Sequence, residues 1–219
     1  MNGIFMAIAI VIVVLTLVAL VGVWVPQPKP NLNLSTALSQ ALTYRRDLTA
    51  QDFQHGTFII REPGTYTLQE DIVFDPRPVT SDPAEILTLH FPDRRSQPYS
   101  DDAYRLGFFA AVSIQSSLVT LDLNGHSISC SETFYKIQRF FAVIELADQP
   151  FVPDTGPFDA GKHIVPATKC RVKNGTIGLS SHHGIHGNNN TDLVLENLTI
   201  HDFEVAGIHL NGGKNVTIQ

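Results

Sequence analysis

Five histidines, His182, His183, His186, His201 and His209, fall within 28 residues of one another. Imidazole exchanges protons near neutrality and is a frequent metal ligand. Setting Asn174–Asn188 against Asn197–Asn211, at an offset of 23, puts His186 and His209 in one column. In a stacked β structure they then lie one layer apart, about 5 Å, on an outward position beside Ile185 and Ile208. Two rings at that distance can share a metal, polarise a sugar hydroxyl or pass a proton. Asp202 and Glu204, on the turn before His209, add carboxylates. The expected ligand-binding residues are therefore His183, His186, His209, Asp202 and Glu204. The competing reading is a polar ladder, each His satisfied by its stacked neighbour and a corner Asn. A metal site wants three or four ligands in settled geometry, so no metal, no cofactor and no catalytic residue is assigned.

The element that must position these residues is a repeat. At the same offset Asn174/Asn197, Thr176/Thr199, Ile177/Ile200, Gly184/Gly207, Ile185/Ile208, His186/His209 and Asn188/Asn211 are identical, 7 of 15 positions without a gap. Cys170-Arg171-Val172, Leu193-Val194-Leu195 and Val216-Thr217-Ile218 are related in the same way, with the outer residues apolar and the middle one variable. Such alternation puts the outer pair inward. A leucine-rich repeat needs a Leu frame that is absent, and a propeller blade needs about 40 residues. The period fits a parallel β-helix, whose coils stack at about 4.8 Å and turn each column into a ladder. Ile177/Ile200 and Ile185/Ile208 become interior stacks. Asn174/Asn197 and Asn188/Asn211 become corners, where Asn tolerates a left-handed backbone.

Upstream, Ser35 is a plausible N-cap for a short amphipathic helix running to about Leu48, with Leu38, Ala41, Leu42 and Leu48 near one face. Short β runs follow at Phe58-Ile59-Ile60, Tyr66-Thr67-Leu68 and Ile72-Val73-Phe74. Asp75 to Asp102, with five prolines, reads as an excursion. β signals resume at Phe108–Val112 and Leu118–Leu123, and Phe140–Ile144 reads as a core strand. Phe151 to Pro166 reads as a loop. Cys130 and Cys170 read as buried thiols, Cys170 in the inward column with Leu193 and Val216.

The first 28 residues carry no Asp, Glu, Lys or Arg, and Ile4 to Val25 is aliphatic but for Thr16, Gly22 and Trp24. A helix of that length reaches about 33 Å, enough to cross a hydrocarbon core of about 30 Å. A cleaved signal peptide is the competing reading, disfavoured by the missing basic n-region and the long apolar run. Lys29, Arg45 and Arg46 after the span weakly favour a cytoplasmic domain. N-x-[ST] sequons at Asn33, Asn174, Asn189, Asn197 and Asn215 would instead suit a lumenal one. The chain has 15 basic and 21 acidic side chains, a net charge of −6, which argues against a nucleic-acid partner.

Leu121-Asp122-Leu123-Asn124-Gly125-His126-Ser127-Ile128 resembles the strand-and-turn signature near the first coils of right-handed parallel β-helix proteins, the pectate-lyase-like superfamily. Gly64–Ile72 looks like the entry strand before it. Lys173–Gly178 with Ser180–Asn189 looks more specifically like uncharacterised β-helix proteins of large DNA viruses and algae. The resemblance implies an all-β fold, a right-handed parallel β-helix or solenoid, over about Gly56 to Gln219. It implies less about activity, because the superfamily spans lyases, hydrolases, epimerases, tailspikes and adhesins. The Asp-Pro-His cluster of its epimerases and the paired-Arg strand of its pectate lyases are both missing here.

The expected organisation is a transmembrane anchor over 1–25, a Pro-rich spacer and short helix over 26–55, and the β-helix over 56–219, open or truncated at its C-terminal end. The expected function is a single-pass membrane protein, on a virion membrane if the viral likeness holds, with a structural or attachment role. Its expected partners are the membrane through residues 4–25, a polysaccharide or other glycan, and a protein docked on the open C-terminal coil. The alternative is a carbohydrate-active enzyme of the lyase or epimerase type. A cleft of three or more converging carboxylates or basic residues distinguishes that alternative.

Overall fold

Alternation of apolar and polar residues builds parallel strands throughout the described part of the chain. The computed structural model describes residues 33–76, 108–137, 140–148 and 164–219. A helix, α1 (Leu34–Thr43), leads into β1 (Arg45–Leu48) and a 3-10 turn over Ala50–Phe53. Then come β2 (Phe58–Ile60), β3 (Gly64–Leu68), β4 (Ile72–Phe74), β5 (Phe108–Ile114), β6 (Val119–Asp122) and β7 (Ser127–Cys130). A short helix, α2 (Glu132–Ile137), precedes β8 (Phe140–Glu145) and β9 (Arg171–Gly178). The last elements are β10 (His183–Asn188), β11 (Thr191–Ile200), β12 (Ala206–Asn211) and β13 (Lys214–Ile218).

These strands form two parallel sheets. One has eight strands in the order β1-β3-β6-β9-β11-β13, with β4 and β7 joined off that path through β9; the other has five, in the order β12-β10-β8-β5-β2. In β3, Tyr66 and Leu68 point into the core while Thr65 and Thr67 are half-buried, and Tyr66 pairs with the equally buried Leu121 of β6. One continuous cluster of buried apolar side chains runs from Leu48 to Leu195. Asn and Gly make the corners. Asn124 and Gly125 both have positive φ, which Asn tolerates and Gly adopts freely, and the Asn124 N–H donates to Asp122 Oδ1 at 2.9 Å. Cys130 and Cys170 are both buried and are not joined in a disulfide.

The expected all-β solenoid behind a transmembrane helix is corrected in two respects. A regular solenoid needs a constant coil, and the strand pairing does not keep one. Paired residues are 20 apart between β1 and β3, and 54 to 56 apart for β2 with β5, β3 with β6 and β4 with β7. They are 32 apart between β5 and β8, 41 between β8 and β10, and 49 to 51 where β9 meets β7 and β6. The spacing of 23 holds only for the final pairs. The sequence repeat covers those pairs alone, and its period does not extend upstream. Two α-helices also belong to the described part.

Second, no helix among the described residues is long and apolar enough to cross a membrane. Residues 4–25, on which the anchor rested, lie outside the described residues. A single-pass topology, and the virion membrane attached to it, therefore has no support from the structure. An apolar run sets the gain from leaving water; it does not by itself fix a backbone conformation.

Asn33–Gln219 form one compact unit, so α1 and β1 belong to the same body as the sheets. The α1 cap is Asn33 rather than Ser35: Asn33 Oδ1 accepts from the Thr36 N–H at 2.8 Å and from the Ser35 hydroxyl at 2.7 Å. Leu34, Leu38 and Leu42 of α1 face solvent, at 68%, 48% and 68% exposure, instead of covering the core.

Candidate functional site

The imidazole cluster is assembled on the five-stranded sheet. Parallel pairing of β10 with β12 sets His186 beside His209, Ile185 beside Ile208 and Asn188 beside Asn211, the expected register. Pairing of β10 with β8 sets Glu145 on the other side of His186. One row across the sheet therefore reads His209, His186, Glu145, Ser113 and Ile59. His183 joins from the start of β10. Its ring stacks on His186 at 5.2 Å and meets His209 edge-on at 4.7 Å, and His182 lies 4.1 Å from it. His186 and His209 are 5.5 Å apart and tilted.

His186 does not face outward. It is 3% exposed, and its Nδ1 lies 2.6 Å from Glu145 Oε2. Glu145 is fully buried, and its second oxygen, Oε1, has no hydrogen-bond partner among the described residues. Burial pushes the Glu145 carboxyl up to about 7, against the pull of His186 in the other direction. Burial, reinforced by His182, His186 and His209, holds the His183 imidazole down to about 3. His182 is lowered for the same reasons. The cluster therefore stores neutral bases next to a carboxyl that titrates near neutrality, an arrangement typical of functional sites but not confined to them.

The accessible end is His209, which is half-buried on the edge strand β12 and lies with Nε2 3.0 Å from Asn211 Oδ1. Asn211 Nδ2 in turn donates to Asn188 Oδ1 at 2.9 Å. Of the five expected residues, the structure brings together His183, His186 and His209. It leaves Asp202 outside the cluster: the Asp202 carboxylate is 71% exposed and engages His201 Nδ1 at 2.8 Å. Glu204 is exposed and raises the pKa of the Tyr135 hydroxyl. The described residues contain no group of three or more His, Cys, Asp or Glu placed to hold a metal ion. Glu145 is the residue that sequence reasoning missed. It is 41 positions from His186, outside the 23-residue repeat, and its one signal was a charge closing an apolar core strand.

The C-terminal edge expected to dock a protein carries an apolar recess of about 300 Å³ between Leu195, Leu198, Ile200, Phe203 and Ile208. Three of the sequon asparagines are engaged in cross-strand side-chain hydrogen bonds: Asn197 Nδ2 donates to Asn174 Oδ1 at 3.2 Å, and Asn215 Nδ2 to Asp192 Oδ1 at 2.9 Å.

No family model matches the chain, and no curated protein or solved structure does either. The likeness to pectate-lyase-like proteins therefore stays an expectation, and any activity has to be argued from the site itself.

Proposed function

We propose that this chain is an attachment protein that binds a glycan at the imidazole cluster of the five-stranded sheet. The observation that carries the reading is the convergence of four imidazole rings, with neighbouring centroids 4.1 to 5.5 Å apart, one of them held by a buried carboxyl. A neutral imidazole offers one donor and one acceptor, which suits the hydroxyls of a sugar. His209 and Asn211 form the contact surface, and His183, His186 and Glu145 fix their orientation from below. Strands hold such groups more precisely than loops do. Screening the full-length protein on a glycan array tests the reading, followed by calorimetry on the strongest ligand with His209→Ala as control.

The second reading is a carbohydrate-active enzyme on an acidic polysaccharide. The buried Glu145–His186 contact favours it, because a carboxylate at one imidazole nitrogen fixes the tautomer and readies the other nitrogen for proton transfer. Incubation with polyuronides, with and without Ca²⁺, tests it. Turnover abolished by His186→Ala would favour the enzyme over the attachment role.

A further inference from the structure

Among the described residues β12 is an edge of the five-stranded sheet and pairs there with β10. Imidazoles line the contact from both strands: His183 and His186 from β10, His209 from β12. β10 is buried along its whole length, whereas β12 is half-buried up to an exposed Asn211. The edge strand is therefore the less enclosed member of the pair, attached to the core through Ile208 and Leu210.

We propose that β12 is a proton-operated edge, paired with β10 while the imidazoles are neutral and detached when they are protonated.

The groups facing the cluster decide whether extra protons are tolerated. Among the described residues they are His182, His183 and His186 around β10, His209 on β12, Glu145 on β8 with Asp148 just after it, and Glu204 in the turn before β12. Glu145 is already engaged with His186, and the Glu204 carboxylate is exposed to solvent. Further imidazolium charges would sit about 5 Å from like charges at low effective dielectric.

The direction of the linkage follows. A detached strand exposes imidazoles that take up protons near the ordinary His value of about 6.5, while His183 in the paired strand is held down to about 3. Falling pH therefore favours the detached form. Glu145 acts oppositely: its raised carboxyl gains a proton in the folded state as pH falls, which supports the β8–β10 contact. The acid-sensitive seam is thus β10–β12 alone. Release of a bound glycan with the strand rests on the reading of the site given above; detachment of the strand does not.

Hydrogen exchange of the full chain without ligand tests the device separately from glycan binding. After correction for intrinsic rates, protection of the amides in 206–211 should fall about tenfold or more between about pH 7.5 and about pH 5, while that of 140–145 changes less than about threefold. His183→Gln keeps a polar side chain and removes the imidazole that burial holds down, and should shrink the β12 loss to under about threefold. If that variant does not fold, His182→Gln carries the same expectation. Unchanged protection of β12 in the wild type, equal losses on β8 and β12, or an undiminished loss in the variant would each overturn the proposal.

Discussion

His186 Nδ1 lies 2.6 Å from Glu145 Oε2, with both side chains buried on adjacent parallel strands. The contact ties the cluster to the middle of the sheet. It sets the charge state of the site, because burial leaves the Glu145 carboxyl titrating near 7.

The first prediction is a stability loss as pH rises from mild acid to neutrality. Glu145 has a folded pKa of about 7, raised above its ordinary value of 4.5. Its contribution is complete below 4.5 and is lost as pH rises through about 7. The shift corresponds to at most about 3 kcal/mol. Chemical denaturation between about pH 4.5 and about pH 8 should show that decline in the wild type. Glu145→Gln, which cannot ionise, should show a flatter profile, and an equal decline in both would assign it to another group.

Core packing gives the second prediction. Ile177 is fully buried and pairs with Ile200, which is only partly buried. Ile177→Ala should cost about 2–5 kcal/mol, and Ile200→Ala clearly less. Equal costs would mean that the last layer is as enclosed as the one before it.

The third prediction concerns the amide ladder. Asn174 has φ of 61°, accepts from Asn197 and donates to Asp122 Oδ1 at 3.1 Å. Asn174→Ala loses both bonds and strains a left-handed backbone, for about 1–3 kcal/mol in total. Asn174→Gly loses the bonds but not the backbone freedom, and should recover part of that cost. A glycine variant no more stable than the alanine variant would remove the backbone from the account.

Much of this was legible in the sequence, for a definite reason. An offset of 23 repeats the same side chains at the same height, so the pairing of His186 with His209 and of Ile177 with Ile200 followed from the letters alone. Upstream of the repeat the chain carries no such period. Glu145 and His186 meet across a 41-residue connection that carries no periodic signal, so the buried carboxyl and the inward setting of His186 were invisible. A regular solenoid was inferred from a period confined to the last strands. Asp202 and Glu204 were placed near His209 by sequence distance, but turns aim side chains by their own geometry: Asp202 has φ of 52° and points to His201. The leucines of α1 had the right spacing for an apolar face, and spacing does not say which side the protein occupies.

Glycan binding at the surface end of the cluster is the central claim, and titration calorimetry of the full chain against the strongest array ligand tests it most directly. The account predicts binding that weakens about tenfold or more, roughly 1.4 kcal/mol, in His209→Ala, with the fold intact by circular dichroism. No glycan bound by the wild type, or the same affinity in the wild type and His209→Ala, would contradict it.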